Sequence, residues 1–140
     1  YQSANFLGFG LCMAEYTCGI SGKKISTFDL VLDGYCLHCI IGEDRRRFLA
    51  GALRVLKPGA SLHIVTMCGE VTSPGIRKSF DAQSRCVLRE DGVATRYIGL
   101  PKDILIEIGS VGLGVLDWRI KPRTEKEGDM DELLVWATKE

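Results

Sequence analysis

Two short stretches of this chain concentrate the residue types that do chemistry. Asp33-Gly34-Tyr35-Cys36-Leu37-His38-Cys39 places a carboxylate, an aromatic ring, two thiols and an imidazole within seven residues. Thr66-Met67-Cys68 closes a second apolar run with a hydroxyl and two sulfur side chains. Gly34 lets a ligand come close to the backbone, because no side chain stands in the way. Tyr35 offers a ring face to a cationic ligand group, an attraction of about 0.5–2 kcal/mol depending on desolvation. The plainer alternative is a half-buried tyrosine beside a turn glycine. Asp33 either caps the turn that follows or accepts a bond from a ligand ammonium, and capping is the simpler reading. His38 is the candidate general base.

These residues need a frame, and residues 28–66 supply one. Residues 28–33 form an apolar run ending in a carboxylate. Glu43-Asp44-Arg45 then opens a helical pattern with Phe48, Leu49, Ala52, Leu53 and Leu56 on one face. Lys57-Pro58-Gly59 ends that helix with a cation, a proline and a glycine. Residues 61–66 resume an extended apolar run. Two strands joined by a crossover of this length lie parallel, with the helix over one face of the sheet. In an open parallel sheet, ligands bind at the carboxyl ends of the strands. That rule selects Asp33, Gly34 and Tyr35, and with them Thr66, Met67 and Cys68.

Composition narrows the partners. The 140 residues fit one domain, and eighteen basic against eighteen acidic residues leave no net charge to favour nucleic acid or an anionic membrane. No apolar run reaches the roughly 18–20 residues that cross a bilayer, and residues 1–22 lack a signal-peptide pattern. The expected location is cytoplasmic. Cys36 and Cys39 have the gap of a zinc site, but no second Cys/His pair shares it, so no metal is assigned. The six cysteines read as reduced thiols acting as small apolar residues. His63 lies inside a strand pattern and reads as structural.

Beyond Cys68 the pattern changes. Residues 70–78 carry Ser73-Pro74-Gly75 and read as a loop, and Asp91-Gly92 sits between two extended segments as a hairpin turn. Pro101 begins a helix through Ile108. Residues 115–121 and 132–138 read as a final antiparallel pair. Residues 1–27 are the least structured in pattern, with weak helical character over 4–16.

Residues 28–40, "FDLVLDGYCLHCI", and residues 54–60, "RVLKPGA", resemble the second half of a class I S-adenosylmethionine (SAM) methyltransferase. The combination of "FDLV…LH", a helix, and "LKPG" before an apolar strand carries the resemblance, which continues more loosely to the C-terminus. It implies an α/β fold: a partial Rossmann-like sheet of parallel strand, helix and strand, then a helix and a C-terminal antiparallel hairpin, with the first strands absent. It implies SAM as cofactor, with Asp33, Gly34 and Tyr35 on the cofactor side. Thr66, Met67 and Arg96 then face a small-molecule N, O or S acceptor, and residues 69–100 cover the acceptor pocket. In such a family the "LH" histidine more often orients its loop than takes a proton. The family's glycine-rich loop belongs further upstream than the 27 residues preceding Phe28 allow, and Leu7-Gly8-Phe9-Gly10 has only two of its glycines. The expectation is therefore a fragment that binds SAM weakly or not at all.

Two other classes compete. One is half of an NAD-dependent Rossmann enzyme, whose later strands would stay parallel. The other is a non-catalytic interaction module. With the first strands absent, residues 28–32 would form an exposed sheet edge, expected to pair in a homodimer or domain swap.

Overall fold

The structure, a computed structural model, describes residues 6–9 and 28–140. Five strands form the main sheet in the order β1-β2-β3-β8-β7, where β1 is Phe6–Phe9, β2 is Phe28–Gly34, β3 is Leu56–Cys68, β7 is Leu113–Lys121 and β8 is Asp131–Lys139. β1, β2 and β3 run parallel, while β8 pairs antiparallel with both β3 and β7. Helix α1, Glu43–Val55, makes the crossover from β2 to β3. The parallel pair and its helix, the hairpin at Asp91-Gly92, the helix at Pro101 and the antiparallel ending all follow the sequence expectation.

Burial along the strands alternates as a sheet covered on one face requires. Val31 and Asp33, then Leu62, Ile64, Thr66 and Cys68, then Leu133, Val135 and Ala137 are the buried set. Against them α1 lays Phe48, Leu49, Ala52 and Val55, spaced at helical intervals. Glu43 and Asp44 in its first turn and Arg54 in its last match the helix dipole. Helix α3, Pro101–Ser110, adds Ile104 and Ile108 to the same core. Its chain reverses at Gly112, whose φ of 97° is a left-handed value that favours glycine.

A second, smaller layer sits beside the sheet end. The one-turn helix α2, Pro74–Arg77, leads into a three-stranded antiparallel sheet of β4 (Phe80–Asp81), β5 (Cys86–Leu88) and β6 (Ala94–Tyr97). Val71, Ile76, Ile98 and Met130 form its own apolar cluster, with Met67 of β3 packed against it.

Three expectations change. Residues 6–9 form a strand rather than the start of a helix, so one more parallel strand is present than the sequence reading allowed. β1 lies in register with Leu30 to Asp33, so residues 28–32 are not an exposed edge, and the dimer or swap expected there loses its basis. A strand with unpaired N–H and C=O groups takes the nearest extended segment, and here the same chain provides it. β3 also starts earlier than expected, at Leu56, although its regular ladder with β2 begins at Ser61 opposite Leu30. The remaining expectations for residues 10–27, Gly10 among them, lie outside the described residues.

Candidate functional site

At the end of β2 the chain turns sharply, and Asp33 organises the turn. Its side chain is buried, and Oδ1 accepts the Cys36 N–H at 2.8 Å while Oδ2 accepts the Leu37 N–H at 3.1 Å. These bonds cap the single helical turn Leu37–Cys39, so the carboxylate is occupied by backbone. Burial pushes the Asp33 carboxyl up to about 6, against the opposing pull of those two N–H groups.

Gly34 is exposed, with open space around its Cα. Tyr35 follows at φ 69°, a strained value for a side-chain-bearing residue. It is held there twice: its N–H donates to Val65 O at 3.0 Å, and its hydroxyl donates to Glu132 Oε1 at 2.7 Å. The hydroxyl's bond to that carboxylate raises its pKa. The ring itself stays 46% exposed, beside Gly34.

His38 is buried, and its Nδ1 accepts the Met67 N–H at a long 3.5 Å, which leaves the proton on Nε2. Burial, with the nearby positive charges of Arg96 and Arg45, pushes its pKa down to about 4. The imidazole is therefore neutral at physiological pH. Burial also pushes the thiols of Cys36 and Cys68 up to about 11, so both stay protonated.

The expected residues separate into two groups. Asp33, Tyr35, His38 and Met67 meet where β2 and β3 end, and Arg96 approaches from β6 with its side chain exposed. Thr66 does not join them. It lies on the helix-covered face with Leu62 and Ile64, is 1% exposed, and its Oγ1 has no partner among the described residues. His63 stacks on Trp136 at 4.7 Å on the opposite face.

Arg45 holds this region together and has no counterpart in the sequence reading. From the first turn of α1 it donates Nη1 to Leu37 O at 2.5 Å and to Ile40 O at 3.3 Å. Its Nε and Nη2 form a two-pronged pair with Glu107 of α3 at 2.8 and 2.7 Å. The guanidinium also lies 4.4 Å from the Tyr97 ring centre. A signal did exist: Arg45 precedes Phe48, Leu49 and Ala52 by three, four and seven residues, which puts it on the buried face.

A family model described as a methyltransferase domain matches residues 22–64, less than half of the chain. No curated protein sequence matches. Among solved structures, a SAM-dependent methyltransferase from Methanosarcina mazei is 19% identical with a TM-score of 0.66, over 89% of this chain and 64% of that one. A Burkholderia thailandensis 1,6-didemethyltoxoflavin-N1-methyltransferase, solved with its acceptor and S-adenosylhomocysteine, is 17% identical at 0.64, over 89% and 48%. The [4+2]-cyclase SpnF is 18% identical at 0.59, over 86% and 53%. The chain thus spans less than two thirds of each. Sequence match and architecture point the same way: the chain has the fold of the class I methyltransferases, a family whose cofactor is S-adenosylmethionine, and residues 22–64 match a methyltransferase-domain model.

Proposed function

We propose that this chain contributes one wall of a methyltransferase site in which a SAM sulfonium lies near Tyr35 and a small-molecule N, O or S acceptor lies towards Met67 and Arg96. The observation that carries the reading is Tyr35. An exposed ring, locked in a strained backbone by bonds to Val65 and Glu132, stands next to a side-chain-free Gly34 at the carboxyl end of a parallel strand. Sheets of this kind bind ligands at that end.

In this reading the roles divide by burial. Asp33 shapes the turn, and His38 orients it rather than taking a proton, since its Nδ1 is occupied and its basicity is low. Gly34 and Tyr35 meet the donor. Arg96, a cation on β6, suits an acceptor with an anionic group. Residues 69–100, folded as a small sheet against the end of β3, cover the acceptor. Methyl transfer is an in-line displacement that needs alignment more than a base. Thr66, enclosed in the core, supports the strand from beneath. The antiparallel β8 and β7 favour this topology over an NAD-dependent half-domain. A fold also hosts more than one chemistry, as the cyclase with this architecture illustrates.

The described residues line one side of a donor, so binding by this chain is expected to be weak. Titration with S-adenosylhomocysteine, followed by amide NMR shifts, reads weak binding directly. Shifts at Gly34, Tyr35 and Met67, lost in Tyr35→Ala, are the expected result. Shifts confined to other regions, or tight binding that ignores Tyr35→Ala, would remove this assignment.

A further inference from the structure

Strand β7 ends the main sheet, and among the described residues nothing pairs with its outer edge. Natural proteins usually keep such edges polar or short. This one is nine residues long and exposes Leu116 at 66%, Trp118 at 48% and Ile120 at 42%. Ile106 of α3, 59% exposed, extends the apolar surface, and an open cleft of about 690 Å³ runs between the start of α3 and Trp118.

The direction of one backbone group is fixed by its partner. The Trp118 N–H donates to Oδ1 of its neighbour Asp117 at 2.8 Å. In an antiparallel strand a residue sends its N–H and C=O to the same side. Trp118 therefore presents both groups outward, with its N–H covered by a side chain that can turn away. Asp117 and Arg119 lie on the opposite sheet face from Trp118, opposite Trp136 and Leu134 of β8. They are within 3.9 Å of each other along the strand.

We propose that β7 pairs with β7 of a second copy of this chain, antiparallel about a two-fold axis at Trp118, to form a continuous sheet across a homodimer. In that register the Trp118 N–H donates to the C=O of the partner's Trp118, and the reverse bond forms as well. Asp117 releases its own backbone contact and faces the partner's Arg119, while Arg119 faces the partner's Asp117. Leu116 meets the partner's Ile120. The short sequence Asp-Trp-Arg is self-complementary under this operation, which is why a second copy rather than an unrelated strand is the fitting occupant. Zero net charge adds no long-range repulsion between copies.

Sedimentation velocity on the full chain from micromolar to millimolar concentration tests this. The expected result is a concentration-dependent dimer. Asp117→Arg sets like charges opposite each other twice per dimer and weakens association by at least about tenfold. The swap Asp117→Arg with Arg119→Asp restores the pairing and recovers most of that loss. Both positions are exposed, so circular dichroism should show the fold intact; Leu116→Lys, which blocks the same edge without touching the charge pair, serves as a second variant. A monomer throughout the range overturns the proposal. So does a dimer indifferent to Asp117→Arg and Leu116→Lys, or a single substitution that its charge swap fails to rescue.

Discussion

The two ends of the main sheet treat polarity in opposite ways. Where β2 ends, charged and polar side chains are buried and almost fully bonded: Asp33 to two N–H groups, Arg45 to two carbonyls and Glu107. Along β7 the apolar side chains are outside, and the polar ones bond mainly along the surface, Arg119 over the Trp136 ring and Lys121 to Glu132. The first pattern fixes the shape of a turn, which a ligand site needs. The second leaves adhesive surface without internal order, which an interface needs. Substitutions should therefore disturb folding at one end and association at the other.

The largest effect is expected at Arg45. Its side chain is 5% exposed, and removing it leaves the Glu107 carboxylate without its cation and the Leu37 carbonyl with only the Ile40 N–H at 3.3 Å. Breaking one side of a buried pair costs about 3–5 kcal/mol. Arg45→Met should lower unfolding stability by that order in a denaturant titration, and adding Glu107→Gln should return part of it. A loss below about 1 kcal/mol would mean that the turn stands without its clamp, and the contrast drawn above would fail.

Next come the two titrating groups of the same turn, which act with opposite sign. Asp33, raised from 3.8 to about 6, is favoured neutral by the fold. Its contribution is present below pH 3.8 and is lost as pH rises through 6. His38, lowered from 6.5 to about 4, is also favoured neutral, but its contribution is present above pH 6.5 and is lost as pH falls through 4. Each shift corresponds to about 3 kcal/mol, so the wild-type stability should be nearly flat between these limits. Asp33→Asn leaves His38 uncompensated, and that variant should lose about 3 kcal/mol on acidification from pH 7 to 4. His38→Gln should do the reverse and gain stability over the same range. Identical slopes for both variants and wild type would sink the account.

Much of this architecture was legible because it depends on local pattern. The apolar run at Leu30 to Leu32, the helical spacing of Phe48, Leu49 and Ala52, and the Asp91-Gly92 turn each signal their element without knowledge of distant contacts. β1 did not announce itself, since Phe6–Phe9 is four residues with a glycine and gains its identity only by pairing with β2. Pro58 and Gly59 read as punctuation, which delayed the start of β3. At the site, Asp33 as a cap followed from its position before a turn. Thr66 was misjudged because its strand position was weighed and its parity was not: it alternates with Leu62 and Ile64, so it shares their buried face. Arg45 looked like one charge among three at a helix start; its spacing from Phe48, Leu49 and Ala52 marked a buried position, but the carboxylate that pairs with it, Glu107, lies sixty-two residues away.

Tyr35 tests where the ordered end stops. A non-glycine residue at φ 69° costs roughly 1–2 kcal/mol, offset here by an exposed bond to Glu132. Tyr35→Gly removes both, so unfolding stability should change by less than about 1 kcal/mol in either direction. The S-adenosylhomocysteine shifts at Gly34 should weaken all the same. A loss above about 2 kcal/mol would place Tyr35 with Arg45 as a structural residue.

Leu116 should give the smallest folding effect of all. It is the irregular residue of β7, lying where the register with β8 shifts between Val115 and Asp117, and most of its surface is in solvent. Leu116→Thr keeps a residue suited to extended backbone and removes little buried area, so unfolding stability at low protein concentration should stay within about 0.5 kcal/mol of wild type. Its effect should appear only in sedimentation at high concentration, where the apolar contact with the partner's Ile120 is lost. If folding rather than association moves, the edge of β7 is part of the monomer's core economy, and the two ends of the sheet differ less than their surfaces imply.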